Sequence, residues 1–236
     1  MLIAPISDPG ILAYVTEGGL YSGQLGDNPN TPQTETRAGA SCMVLRNEYT
    51  GLAAQRDYLG SIVAHEYHHA IQMGLVDLVA TDRPDRMWYE SGATYIEDEF
   101  FDSLNDNYGW LWPHFDTCLG EYNGSSDTFV YTNWLFVRYV AERNGGTNTP
   151  GGGENVLQGF WQNMGTGQAA LNAFNAALEG AGSNLADTYH NYAIASRFML
   201  ACPAGTPYCF DEAQGYEDRA GDRPIHGVID RPGQSY

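Results

Sequence analysis

A short run of histidines around a glutamate is the part of the chain best equipped for chemistry. Residues 65–69 read His-Glu-Tyr-His-His, which matches the pattern HExxH. On a helix, His65 and His69 lie one turn apart on the same face, so both imidazoles can bind one metal ion. Glu66 lies beside them, where it can activate a water molecule at the metal. The pattern is typical of zinc hydrolases, and its alternative is a core helix with two hydrogen-bonded histidines.

A catalytic zinc site needs a third protein ligand. The extended pattern HExxHxxGxxH is excluded, because Gln72 and Leu75 occupy its glycine and last histidine positions. Residues 87–99 predict a second helix that carries the other common solution, a glutamate, at Glu90. The alternative for this residue is a solvated carboxylate on an acidic helix, but its apolar neighbours favour burial.

Two further features of residues 87–99 fit a metal site. Glu97 lies two turns after Glu90 on the same face, where it can accept a hydrogen bond from a metal-bound imidazole. Gly92 and Ala93 are small, so we expect this helix to lie close to the HExxH helix.

These motifs resemble the gluzincin metallopeptidases, the thermolysin-like group. More narrowly, the chain is similar to the secreted metalloproteases first named from myxobacteria, which share H-E-[FY]-x-H-A-[IV]-Q followed by W-x-E-x-x-A-x-[WY]-x-E-D-E. The matching segments are residues 65–72, 88–99, 131–139, 156–161 and 185–198, so that the resemblance covers most of residues 40–200.

The resemblance implies a zincin-like α+β fold and a zinc peptidase. By this resemblance His65, His69 and Glu90 hold zinc, and Glu66 is the general base. One departure is His68, where the family usually has an aromatic residue; we interpret it as a packing residue or a support for the ligands.

A peptidase of this kind also needs a donor for the developing oxyanion. Tyr131 is our first candidate, because it opens the predicted third helix within a family-like segment. His114, Tyr189 and His190 are alternatives, and ordinary packing is the competing role for each of them.

The composition is strongly acidic, with a net charge of -18 and no lysine among the eleven basic residues. Such a surface repels nucleic acid and anionic membranes. We find no apolar stretch of about twenty residues, so no membrane span is expected. The first five residues do not form a convincing signal peptide.

Four cysteines suit an oxidising compartment. Cys202 and Cys209 bracket a short loop that a disulfide would close, whereas Cys42 and Cys118 either pair or stay as buried thiols. We therefore expect a secreted or cell-surface protein that acts on protein or peptide substrates.

The pattern of apolar residues predicts strands over 11–16 and 41–46, and helices over 56–73, 88–104, 129–144, 156–164, 169–180 and 185–200. The second strand is either an ordinary core strand or, as in gluzincins, an edge strand that pairs with the substrate backbone. We expect a catalytic core over residues 1–146, a helical C-terminal part over 147–200 and an irregular tail over 201–236, with the metal at the junction of the first two.

Three questions stay open in the sequence. The oxygen-rich side chains of residues 98–107 could bind calcium, but they lack the ligand spacing of an EF-hand loop, which favours a solvated helix end. An exopeptidase is an alternative to an endopeptidase, but no motif for gripping a free terminus is evident. A non-catalytic binding module with a structural zinc site is a third reading, and an intact Glu66 argues against it.

Overall fold

A small sheet and six helices form the described part of the chain. The computed structural model describes residues 1–8, 11–21, 26–48, 56–76, 83–111, 130–144, 153–199, 201–202, 206–213 and 215–216. The strands are β1 (Leu2–Ala4), β2 (Ala13–Leu20) and β3 (Gly39–Arg46), and the helices are α1 (Arg56–Met73), α2 (Arg83–Phe100), α3 (Trp134–Arg143), α4 (Gly153–Gly165), α5 (Ala170–Gly180) and α6 (Leu185–Phe198). This mixture agrees with the predicted α+β class. The predicted boundary between residues 146 and 147 lies outside the described residues and stays a prediction.

The sheet has the strand order β1-β3-β2, with β1 parallel and β2 antiparallel to β3. Because β3 is central, its Val44–Arg46 part has a neighbour on both sides, which rules out the edge-strand role there. Its Gly39–Met43 part pairs with β2 alone within the described residues. The sequence did not predict β1, whose three residues are too few for a clear alternation.

One face of the sheet packs on α1. Ala13 pairs with Leu45, and Val15 pairs with Met43, so alternate residues of both strands share this face. They form an apolar cluster with Ile62 and Val63 of α1. This contact holds the first half of α1 on the sheet, and the predicted bounds of this helix are confirmed.

Helix α2 begins five residues earlier than predicted. The sequence suggested a turn near Pro84, whereas the helix begins at Arg83 and Pro84 lies in its first turn. Proline is tolerated there because the first N–H groups of a helix have no intrahelical partner. The helix also ends at Phe100 rather than at residue 104, and α3 begins at Trp134 rather than at residue 129.

Aromatic side chains hold α2 against the C-terminal helices. The ring of Trp88 lies 5.8 Å from that of Phe160 on α4 and 5.2 Å from that of Phe174 on α5. Next to it, Tyr89 lies 4.9 Å from Trp161. Trp88 is buried, and removing a buried ring of this kind costs about 3–5 kcal/mol. Since this side of α2 is fixed in the core, its opposite side faces α1.

A buried arginine joins three parts of the chain. Arg138 of α3 donates to Glu142 one turn later at 2.9 Å and to Glu99 of α2 at 2.8 Å. It also donates to Glu212 near the C-terminal end of the described residues and lies 3.3 Å from Asp98. One guanidinium thus serves four carboxylates in a largely buried site, where the excess of negative charge is unfavourable.

The predicted disulfide between Cys202 and Cys209 is present. Cys209 and the neighbouring Phe210 are buried, and Phe210 lies 5.7 Å from the ring of Tyr139 on α3. The disulfide therefore holds the segment after α6 against the helical core. Cys42 forms no disulfide among the described residues, and Cys118 lies outside them.

The Arg138 cluster predicts a pH dependence of stability. Burial raises the pKa of Asp98 to about 7 from its ordinary 3.8, although the charge of Arg138 opposes the shift. Folding then takes up a proton between these two values, so the free energy of unfolding falls as pH rises through this window.

Asp98→Asn imitates the protonated form, so we expect this variant not to lose stability as pH rises. The gain in its free energy of unfolding over the wild type should be larger at pH 8 than at pH 4 by on the order of 2 kcal/mol. Urea unfolding across this pH range measures the difference, and Glu179→Gln on the exposed side of α5 is the control. A pH slope equal to that of the wild type in Asp98→Asn would contradict the assignment.

Candidate metal centre

Three side chains converge between α1 and α2. The Nε2 atoms of His65 and His69 lie 3.0 Å apart, and an oxygen of Glu90 lies 3.3 Å from the first and 3.4 Å from the second. Within the described part of the chain, this is the group of three or more histidine, cysteine or carboxylate side chains that is close enough to hold a metal ion. The structure thus brings together the three ligands that were predicted from the sequence.

Glu97 sets the protonation of His65. Its carboxylate contacts the Nδ1 atom of His65, two turns along α2 from Glu90, as the sequence predicted. An ionised carboxylate only accepts hydrogen bonds, so Nδ1 is the donor and Nε2 is left facing the cluster, where it can hold either a proton or a metal ion. A metal-binding histidine is usually oriented in this way.

A glutamine does the same for His69. The Nδ1 atom of His69 lies 2.7 Å from Oε1 of Gln72, and Nε2 of Gln72 donates to the carbonyl of Tyr89 at 3.1 Å. The second bond fixes the amide, so that its oxygen accepts and Nδ1 of His69 donates. This role of Gln72 was not predicted. Its position three residues after His69, on the same helix face, was a signal for it.

The electrostatics keep the third ligand ionised. Burial raises the pKa of Glu90, but hydrogen bonds to both imidazoles outweigh it and hold the pKa well below its usual range. Burial lowers the pKa of His65, but Glu90 and Glu97 outweigh it and raise the pKa to about 10. A metal ion at Nε2 of His65 therefore takes the place of a proton, and Glu90 and Glu97 stabilise either of them.

Gly92 allows the two helices to approach closely, as predicted. A Cβ atom at this position would lie 3.1 Å from Nε2 of Gln72 and 3.3 Å from Nε2 of His68, both on α1. Ala93 beside it is fully buried. The small residues on α2 thus set the distance that brings Glu90 within reach of both histidines.

Glu66 lies next to the metal-binding cluster. It is partly buried, and it interacts electrostatically with His65, His69 and Glu90. Burial raises its pKa, whereas the two histidines lower it, and burial is the larger effect. A carboxylate with a raised pKa beside a metal site is suited to taking up and returning a proton.

Tyr131 also lies beside the cluster, in a short 3-10 helical segment three residues before α3 begins. Its ring centre is 6.2 Å from that of His65, and it stacks on Trp110 at 4.7 Å with an angle of 21° between the planes. The stack holds the tyrosine on the site, and the role of Trp110 was not predicted.

The other candidate donors are placed differently. Tyr189 packs on Phe136 of the core, and His190 is exposed on α6. His114 lies outside the described residues.

His68 does not join the metal-binding cluster. Its ring lies 6.3 Å from that of Trp161, and its Nε2 atom lies against Gly92 of α2 rather than among the ligand atoms. Burial, followed by the charges of His69 and His65, lowers the pKa of His68 to about 3. The packing role suggested by the sequence fits this position.

The structure gives the calcium prediction no support. Asp98 and Glu99 face Arg138, and a side-chain oxygen of Asp106 accepts a hydrogen bond from the backbone N–H of Asn107. In the described ranges the carboxylates of residues 98–107 form no group comparable to the one on α1 and α2.

Comparisons of the chain with protein-family models, with curated proteins and with solved structures return no match. Within the described residues, no helix combines the length and the apolar character needed to cross a membrane.

The geometry predicts a graded response of metal affinity to substitution. His65→Ala and Glu90→Gln each remove a ligand, so we expect them to abolish tight binding. Glu97→Gln leaves the ligands intact but weakens the orientation of His65, so we expect a loss of about 10–100-fold.

Competition with a chromogenic chelator measures these affinities for zinc and cobalt. His190→Ala is the matched control, since it removes an exposed histidine far from the cluster. If Glu90→Gln bound metal as tightly as the wild type, Glu90 would not be a ligand.

Proposed function

We propose that this protein is a zinc-dependent endopeptidase of the gluzincin type with a zincin-like fold. The observation that carries the proposal is the convergence of two imidazole nitrogens and one carboxylate oxygen on a point that a cation can occupy, with Glu66 beside them. Without a metal, a proton on Nε2 of His65 links these atoms, and a metal ion bound by all three would take its place.

The ligand set fits zinc. Zinc binds histidine nitrogen at about 2.0–2.1 Å and carboxylate oxygen at about 2.0–2.2 Å in tetrahedral geometry, so neighbouring ligand atoms should lie about 3.4 Å apart. The three separations of 3.0, 3.3 and 3.4 Å among His65, His69 and Glu90 are close to this value. Two histidines and a glutamate are also a ligand set that catalytic zinc uses.

A catalytic role is favoured over a structural one. Structural zinc is usually held by four protein ligands, whereas catalytic zinc keeps one position open. The cluster supplies three ligands among the described residues, and it has an acidic side chain of raised pKa next to it. A binding module would have no use for that arrangement, so the structural-zinc module is the weaker alternative.

In the proposed reaction a bound zinc ion would supply a Lewis acid that activates water and polarises the peptide carbonyl. Glu66 accepts the proton from the attacking water and then donates it to the nitrogen of the departing amine. The hydroxyl of Tyr131 donates a hydrogen bond to the carbonyl oxygen as negative charge develops on it. Glu97 and Gln72 keep both imidazoles oriented throughout.

The disulfide supports action outside the cell. Disulfides persist in oxidising compartments and are rare in the cytosol, and Cys202–Cys209 is buried at one end against the helical core. The acidic surface suits a soluble enzyme that meets protein or peptide substrates rather than nucleic acid.

Glu66→Gln tests the proposed base directly. We expect this variant to bind zinc as the wild type does and to lose about 10²–10⁴-fold in peptide cleavage, because glutamine cannot accept the proton. A library of peptides with acetylated N-termini and amidated C-termini, analysed by mass spectrometry, measures cleavage.

Blocked termini also separate an endopeptidase from an exopeptidase, since only internal cleavage is then observed. Glu179→Gln is the control for the loss of a carboxylate. Equal cleavage by wild type and Glu66→Gln would remove Glu66 from its role, and no cleavage by the zinc-loaded wild type would favour the structural module.

Tyr131→Phe tests the oxyanion donor. Loss of the hydroxyl should lower kcat by about 10²–10³-fold with little change in KM, because the hydrogen bond strengthens only as charge develops. Steady-state kinetics on one cleaved peptide measure both constants. Tyr189→Phe is the matched control, and an unchanged kcat in Tyr131→Phe would assign the tyrosine to packing alone.

A further inference from the structure

A cavity lies on the opposite side of α2 from the metal ligands. Its volume is about 640 Å³, within the range of about 300–1,000 Å³ in which small-molecule sites fall. It is bounded mainly by α1, α2, α4 and the loop over residues 28–33, and one residue each of α3 and α5 also lines it. None of the described residues that line it belongs to the metal-binding cluster, and neither Glu66 nor Tyr131 is among them.

The walls of the cavity are mainly apolar. Side chains from α1, α2 and α4, with one from the turn after α1, form much of them: Ile71, Leu75, Ile96, Leu157, Phe160 and Trp161. Burying the apolar surface of a ligand in such a space is favourable by the hydrophobic effect.

The loop wall is held in place by a buried carboxylate. Glu35 accepts hydrogen bonds from the backbone N–H of Asn28 at 3.1 Å and from the hydroxyl of Thr31 at 2.6 Å. The side-chain amide of Asn28 in turn donates to the carbonyl of Gly74 at the end of α1, at 2.8 Å. The cavity is thus a preformed feature, bounded by a loop that is tied to the helices.

The polar groups of the lining restrict the charge of an occupant. The described lining contains one carboxylate, Glu154, and no arginine, and the chain has no lysine. Gln158 and Gln162 lie one turn apart on α4 and line the same cavity. Their amides can donate to a carbonyl or hydroxyl, whereas an anion would find no cation to pair with. His68 also lines the cavity.

We propose that this cavity binds an uncharged, mainly apolar small molecule that carries a carbonyl or hydroxyl group. The apolar walls hold its body, and the glutamine amides of α4 meet its polar group. The site is separate from the metal-binding cluster and does not depend on peptidase activity.

Titration with the fluorescent naphthalene ketone Prodan tests the proposal, because Prodan is uncharged and carries one carbonyl. We expect saturable binding of one molecule per chain with a Kd of about 1–100 µM. The anionic naphthalene probe 8-anilinonaphthalene-1-sulfonate should bind at least about tenfold more weakly, since no cation faces it. A substrate peptide should not displace Prodan.

Substitutions at the rim locate the bound probe. Ile71 is 48% exposed at the cavity, and Leu171 on α5 is 46% exposed elsewhere, so Ile71→Trp and Leu171→Trp form a matched pair. We expect Ile71→Trp to weaken Prodan binding at least about tenfold and Leu171→Trp to leave it unchanged. Gln158→Trp, at another exposed rim position, is a second blocking variant.

Three results would overturn the proposal: the absence of saturable Prodan binding, equal binding by the rim variants and Leu171→Trp, or displacement of Prodan by the peptide. Weaker binding confined to the rim variants, together with discrimination against the anionic probe, would support it.

Discussion

The constraint on which the site depends is the close approach of two imidazoles and a carboxylate that a cation can link. The Nε2 atoms of His65 and His69 and an oxygen of Glu90 lie within 3.4 Å of each other because α1 and α2 are pressed together at Gly92. Hydrogen bonding at the far side of each ring keeps Nε2 directed at this shared point. A cation there, either a proton on His65 or a metal ion, is stabilised by Glu90, so metal binding and the packing of the two helices stabilise one another.

The rest of the fold keeps that meeting in place. Trp88 anchors one side of α2 among the rings of α4 and α5, so Glu90 on its other side must face α1. The sheet holds α1 from the opposite direction through Ile62 and Val63. Further along α2, Arg138 ties the end of the helix to α3 and to the C-terminal segment. Each of these contacts fixes the position of a whole helix. A ligand on a fixed helix is held more rigidly than a ligand on a loop.

The sequence predicts the ligands well and their supports less well. Spacing along a helix was enough for His65, His69 and Glu97, because residues four or seven apart share a face. Glu90 required the further inference of a second helix. The start of that helix was predicted five residues too late, because a turn was expected near Pro84. The hydrogen bond from His69 to Gln72 depends on an amide orientation that Tyr89 sets across the helix pair.

Features that arise only from tertiary packing could not be read from local patterns. The strand β1 is three residues long, so its pairing with β3 leaves no periodic signal. The stack of Trp110 under Tyr131 joins residues on two segments, and the cavity behind α2 is lined by residues of several helices and a loop. None of these contacts is determined by residues that are neighbours in sequence.

An X-ray absorption spectrum of the zinc-loaded protein at the zinc edge tests the central claim most directly. The account predicts a four-coordinate ion with two imidazoles and light-atom ligands at about 2.0–2.1 Å, as expected for His65, His69, Glu90 and one solvent molecule. The imidazole signal should fall to half or less in His65→Ala, because this variant loses one of the two imidazoles. A six-coordinate ion without imidazole scattering, or a spectrum with sulfur ligands, would contradict it.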